Sequence, residues 1–342
     1  MISLERFYKW AESSSLNFES ISEDDIQIIY LEYIEAQAEE ELEEYIKNIP
    51  AIINKNKSEH NAFKENHLSH WEDALNTLEL LIHLCVKAGS DLSTSRELTT
   101  SLENENHIGL LIRLHAKACS MANEILLLLK NGFADAAQAR WRSLHEVNVT
   151  LKFIHTSGAQ CSERFLAHEI VDSYEAMKSH RKYENRLQEK GPTNEEYEMI
   201  EAMYKNSLKK FGKDFKEQYG WAIPFLPETP GKTGFQRIEK HVELDHMRPY
   251  FKWASQNIHT STKTILKSLS MPAFEKDIIN VGPSNIGLTD PAHCTAISLM
   301  QSTIWLIMND MSENGAITMN ILKSLAKSVG DEFLTVAKKL EN

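Results

Sequence analysis

Proline and glycine are scarce, with 9 and 13 among 342 residues. Both interrupt regular helices, so their scarcity beside abundant Leu, Glu, Ala and Lys favours long helical segments. Strand-like alternation of polar and apolar residues is missing, and so is any internal repeat. No apolar run approaches a membrane span; the longest are patches such as EILLLLK (124–130) and STIWLIM (302–308). The opening MISLERFYKWAESS carries charges where a signal peptide needs an apolar run, so a soluble, cytoplasmic protein with no membrane partner is expected. Cysteine is rare too. Cys85, Cys119, Cys161 and Cys294 lie far apart, which excludes the short spacings of zinc and redox motifs and reads as reduced core thiols.

Positive charge is also lacking. The net charge is −12, and it is uneven: residues 1–75 hold 17 acidic and 6 basic side chains, while the other 267 residues are almost balanced. A uniformly basic nucleic-acid surface is excluded, although a local basic groove in the balanced part is not. The segment 23–47 has an apolar stripe (Ile26, Ile29, Tyr30, Tyr33, Ile34, Leu42, Tyr45 and Ile46) opposite an acidic face, with Ser22 and Asp25 as a start signal and Pro50 as a stop. A second helix is expected over about 68–88. The polar, Ser/Thr-rich stretch 89–107 then marks a boundary between an acidic N-terminal helical subdomain, 1–95, and a main helical bundle, 100–342.

In the main body, 108–130 predicts a central helix. Asn131-Gly132 ends it and Asp135 is placed to cap a second helix over 135–155, which gives an antiparallel pair. Further helices are expected at about 161–187 (from Ser162), 194–211, 236–270, 291–310 and 315–339. Loop signals concentrate in 212–236 and in GPSNIG (282–287). The fold class is all-α, a multi-helix bundle.

The segment AQARWRSLHEVNVTLKF (137–153) sets Arg140, Arg142, His145 and Glu146 among Trp141, Leu144, Val147, Val149, Leu151 and Phe153. Helical spacing puts Arg142, His145 and Glu146 on one face of a helix that is apolar on both sides. Charges in such a setting need a counter-group from another helix, or a ligand that acts as one. Two other segments carry polar stripes with a histidine: Arg164, His168, Asp172 and Glu175 in one, Ser255 and His259 with Tyr250 and Ser261 in the other. Two readings stay open. Either these residues form an internal network that fixes helix register, or they converge on one buried pocket where a histidine moves protons.

Other constellations are weaker. His67 and His70, with Glu72 and Asp73, or His168 and Asp172 joined by His145 or Glu146, could ligate a metal, but the two E-x-x-H pairs that a di-iron site uses are not present. PGKTG (230–234) lacks the spacing of a phosphate-binding loop, and Ser284 and Asn285 are candidates to line a pocket. No metal site and no cofactor are expected.

The run LIRLHAKACSMANEILLLLKNGFADAAQARWRSLHEVNVTLKFI (111–154), followed in order by ERFLAHEIVDSYEAMK, YFKWASQNIHTST and VGPSNIGLTDP, resembles the uncharacterised prokaryotic domain-of-unknown-function family 5677 over roughly 100–310. That family implies a fold and no reaction. Arg140-Trp-Arg-Ser-Leu-His145 is also similar to the R-x4-H motif of HEPN helical ribonucleases. That resemblance implies a stress or phage-defence protein, a homodimer acting on RNA as a metal-independent endoribonuclease. His145 would move the proton, and Arg140 or Arg142 would clamp phosphate. Glu146, Arg164, His168, Asp172, Tyr250, Ser255 and His259 would be supporting or substrate contacts. This chain departs from the motif at Trp141, where a polar residue is usual, and Arg140 and His145 lie about 140° apart on a helical wheel. The alternative is a non-catalytic helical sensor or interaction module, in which the same residues are structural and the acidic N-terminal helices dock a partner protein.

Overall fold

The computed structural model describes residues 4–13, 22–96, 102–228, 234–259, 262, 268–271, 280–309 and 311–341. Among these the regular structure is helical throughout, with no strand, as the composition implied. The chain divides into two compact units, 1–65 and 66–342. The helices are α1 (Leu4–Ser13), α2 (Glu23–Arg96), α3 (Leu102–Lys130), α4 (Ala134–Ser157), α5 (Ala159–Ala167), α6 (Glu169–Leu187), α7 (Asn194–Phe211), α8 (Phe235–His241), α9 (Arg248–Ile258), α10 (Thr289–Ile307) and α11 (Glu313–Glu341).

In the first unit α1 lays Phe7 against Tyr30 and Tyr33 of α2, with ring centroids 5.2 and 5.5 Å apart. Ser22 starts α2 as expected: its Oγ accepts from the Asp25 backbone N–H at 3.2 Å and donates to the Asp25 carboxylate. Pro50, however, does not stop the helix. It lies inside α2, which takes in both predicted helices and runs on to Arg96. Proline removes one i→i−4 hydrogen bond, freeing the Ile46 carbonyl. Every residue from 38 to 62 is exposed, so that carbonyl faces solvent rather than a core that could not satisfy it.

The second unit is built around α3, α4 and α10, which pack on one another, with α11 against α10 and α9 against α4. Residues 66–96 of α2 join this core through Trp71, Leu75, Leu78, Leu81 and Cys85. Asn131 and Gly132 make the tight turn between α3 and α4; Gly132 takes φ 77°, a left-handed conformation that glycine adopts without strain. Asp135 does not cap α4. Its carboxylate instead accepts from the backbone N–H groups of Leu269 and Ser270, from Ser270 Oγ, and from Asn257 Nδ2. A carboxylate one residue inside the helix does better with four outside donors than with its own first turn.

Three further boundaries differ from expectation. The stretch 89–107 is helical up to Arg96 and again from Leu102. The helix expected over 161–187 starts at Ala159 and breaks at His168, and Ser162 lies inside it, bonded to His107 Nδ1 at 2.6 Å. The helix expected over 236–270 is two shorter ones, α8 and α9, joined by a 3₁₀ turn at Asp245–Met247, with Arg248-Pro249 opening α9. Helix α7 matches its expected span, and Thr193 and Glu196 form its capping box. All four cysteines are free and buried.

Two properties of the core can be measured. Gly89 of α2 meets His115 of α3 so closely that an added Cβ would lie 2.6 Å from Nδ1. Although alanine is the better helix former by about 1 kcal/mol, Gly89→Ala should destabilise the protein by about 1–3 kcal/mol in urea unfolding, because the buried ring has nowhere to move. The His115 ring is enclosed, with Nε2 3.0 Å from Thr303 Oγ1. Burial holds its pKa down to about 4. Since the folded pKa is below the unfolded one, the stability tied to the neutral ring is fully present above about pH 6.5. It is lost as pH falls from there towards 4, amounting to roughly 3 kcal/mol. Urea unfolding across that range should show a smaller acid-side loss for His115→Gln than for the wild type.

Candidate functional site

Helix α4 positions the charged cluster. It is buried on both faces, through Ala137, Trp141, Leu144, Leu151 on some turns and Val149, Phe153 on others. Trp141 is anchored by its indole N–H, which donates to the Cys294 carbonyl (2.9 Å) and to Ser298 Oγ (3.0 Å) of α10. Asn148 reaches the same helix, donating to Gln301 Oε1 at 2.7 Å and accepting from Ser302 Oγ at 3.0 Å. With the register of α4 fixed in this way, its four charged residues separate.

Arg140 turns towards α3 and forks onto the Glu124 carboxylate, through Nε to one oxygen and Nη2 to the other at 3.1 Å. Arg142 pairs with Glu146 at 3.0 Å, donates from Nε to Ser255 Oγ of α9 at 2.9 Å, and lies over the Phe251 ring at 4.6 Å. His145 is wholly buried. Its ring sits among Trp141, Phe235 and Phe251, and Nε2 is 2.9 Å from Oε1 of Glu239 on α8. A carboxylate only accepts, so Nε2 carries the hydrogen; Nδ1 has no hydrogen-bond partner. The second oxygen of Glu239, also wholly buried, pairs with Arg248 Nη2 at the start of α9, and Arg248 in turn lies over Phe251 and Phe235.

The expected face of Arg142, His145 and Glu146 therefore exists, and α9 does contribute Ser255 to it. The other predicted residues are elsewhere. Arg164 donates to three backbone carbonyls, those of Trp221, Phe211 and Gly220, at 3.1, 3.3 and 3.0 Å. His168 Nε2 bonds the Glu217 carbonyl at 2.9 Å, edge-on to Phe215. Both hold the 211–221 turn and not the His145 cluster. Asp172, one turn past the break at His168, is exposed. Tyr250 and His259 are exposed as well. Tyr250 has its pKa raised, first by the charge of Asp290 and then by partial burial. Ser261 and residues 230–233 of PGKTG lie outside the described residues.

A cleft of about 420 Å³ opens beside this cluster, lined among others by Lys117, Arg140, Ser143, Glu146, Tyr219 and Phe235. Glu146 has its pKa raised, because burial outweighs the attraction of Arg142, His145 and Arg248. Tyr219 is raised too, mainly by burial and next by Glu146. Lys117 and Arg140 make the rim locally basic, yet Arg140 is already engaged by Glu124.

Among the described residues no group of three or more His, Cys, Asp or Glu side chains could hold a metal ion. His67 is buried between Asn285 (2.6 Å) and the Leu129 carbonyl (2.9 Å), and His70 turns back onto the Asn66 carbonyl. Asn285 lines no pocket at the cluster: it joins His67 to Asn66, and its carbonyl accepts from the Trp71 indole. Ser284 Oγ closes its own turn by accepting from the Ile286 N–H, and the Ser284 N–H donates to the Gly132 carbonyl.

Sequence reasoning missed Glu239 and Arg248. A signal for Glu239 was present: Phe235, Ile238 and Val242 are an i, i+3, i+7 apolar stripe, and Glu239 falls within it. Arg248 carried no such mark, since it sits where one short helix gives way to another.

If these charges are a network, their removal should cost unequally. Glu239→Ala leaves Arg248 and His145 without their counter-group and should cost about 3–5 kcal/mol in urea unfolding. Arg140→Ala, which breaks only the more exposed Glu124 pair, should cost within about 1 kcal/mol. No curated protein and no solved structure matches the chain. A family match does exist, shorter than the 100–310 resemblance and ending before VGPSNIGLTDP, but enclosing the charged residues from Glu124 to Arg248 and Ser255 as well. Residues 108–276 match the model of a family of unknown function (DUF5677).

Proposed function

We propose that this chain is a non-catalytic helical interaction module, in which the charged residues of α4, α8 and α9 are a structural network. One observation carries the reading: His145 is wholly buried and spends its Nε2 hydrogen on a carboxylate already shared with Arg248. The acidic N-terminal helix is then the part of the chain free to dock a protein partner. Four buried, unpaired cysteines support a reducing compartment such as the cytoplasm.

The endoribonuclease reading places heavier demands on the same residues. A general base must come within hydrogen-bond reach of the hydroxyl it deprotonates. His145, enclosed by Trp141, Phe235 and Phe251, offers no such reach. Arg140, the motif's phosphate clamp, is directed to Glu124 and away from His145. The defence context and RNA as partner belong to that reading and weaken with it.

The test is incubation of the purified wild type and His145→Ala with total RNA in EDTA, beside thermal unfolding of both. The module reading expects no cleavage by either protein and a melting temperature several degrees lower in the variant. Cleavage by the wild type that disappears in a folded, equally stable His145→Ala would replace this reading with the ribonuclease.

A further inference from the structure

Among the described residues, a stripe of exposed large apolar side chains lies on α2 of the first unit. Leu42, Tyr45, Ile46, Ile49, Ile52 and Ile53 are between 39% and 62% exposed, within a stretch where every residue from 38 to 62 faces solvent. At 100° per residue these six side chains fall within an arc of about 120°. Their spacing is that of positions a, d and e of a heptad repeated from 42 to 53, the pattern by which helices zip together. One long aliphatic on a surface is unremarked; six in one stripe, unpaired, need a partner.

The charges beside the stripe say which partner. Glu41, Asn48 and Lys55 occupy the same flank, seven residues apart, and a groove of about 590 Å³ runs along it between Glu41, Tyr45, Asn48, Ile52 and Lys55. The flank is acidic at one end, neutral in the middle and basic at the other. In an antiparallel pair of identical helices the same flank of each copy faces its own reverse, so Glu41 of one copy meets Lys55 of the other, twice. The same register stacks Leu42 on Ile52 and Tyr45 on Ile49. A parallel pair would set Glu41 beside Ile46 and Lys55 beside His60 of the other copy, leaving both charges without a counter-charge, and a uniformly basic or acidic partner would match only one end. Lys55 has a loose intrahelical contact to Glu59 at 3.9 Å, and Glu41 makes no ion pair with the described residues; neither arrangement resists re-pairing, because exposed pairs are weak.

We infer that this stripe is a self-association surface, on which a second copy of the chain docks its own α2 antiparallel, with Glu41 opposite Lys55. The seam covers only about three turns, so the pairing is reversible and concentration-dependent. The inference gives the docking role of the N-terminal helix a specific occupant and rests on the module reading. Its test reads molecular mass alone, so it can fail while the RNA and unfolding experiments still uphold that reading.

Sedimentation of the full-length protein over a dilution series decides it. The wild type should shift from monomer to dimer as concentration rises. Ile49→Lys should remain monomeric with unchanged far-UV circular dichroism, since position 49 is exposed and its loss removes no core contact. Glu41→Lys should weaken dimerisation about fivefold by setting two lysines face to face, and Glu41→Lys combined with Lys55→Glu should restore it. A wild type that stays monomeric throughout, an Ile49→Lys protein that still dimerises, or a double exchange that fails to recover what Glu41→Lys lost would each overturn the inference.

Discussion

The arrangement of the second unit depends on one buried carboxylate. Glu239 is removed from water on short helix α8, and it is held there by His145 of α4 on one oxygen and Arg248 of α9 on the other. A lone carboxylate in that position would be prohibitive; between two donors it becomes the point at which three helices must meet in one register. Phe235 and Phe251, stacked at 5.1 Å, fill the space around the three side chains, with Arg142 and Arg248 lying over the Phe251 ring. Of the residues that looked catalytic, His145 is one that the packing needs, through its bond to Glu239.

The same device recurs at lower stakes. Trp141 and Asn148 bond α4 to α10, His67 and Asn285 bond α2 to the 282–287 loop, and Asp135 gathers Leu269, Ser270 and Asn257. Helices with apolar surface on two sides can slide along one another at little cost, because one leucine contact replaces another. Polar groups with single partners remove that freedom. This accounts for a core in which aliphatic residues dominate but nearly every helix pair also has a directional bond.

What was legible in the sequence follows from which forces are local. The all-α class, the α3–α4 turn at Asn131-Gly132 and the span of α7 depend on near neighbours, and the sequence shows them. The continuation of α2 through Pro50 was hidden because proline's cost depends on what surrounds the freed carbonyl, which is a tertiary fact. The partition of the charged residues was hidden for a related reason. A helical wheel puts Arg142, His145 and Glu146 on one face, but their partners Ser255, Glu239 and Arg248 lie some hundred residues away, and Glu239 could be found only by noticing a glutamate inside an apolar stripe. Arg164 and His168 were visible as buried polar residues, whereas their partners are backbone carbonyls of the 211–221 turn, which no side-chain pattern announces.

The central claim is that Glu239, His145 and Arg248 serve the fold and not a reaction, and urea unfolding of combined variants tests it most directly. If the three side chains only satisfy one another, replacing them together with apolar residues of similar size (Glu239→Leu, His145→Phe, Arg248→Met) removes both the buried polar groups and the need for them. The triple variant should then be folded and more stable than Glu239→Leu alone, by about 1–4 kcal/mol. A triple variant no more stable than the single one would contradict the account, because the three residues would then have no mutual dependence for the fold to explain.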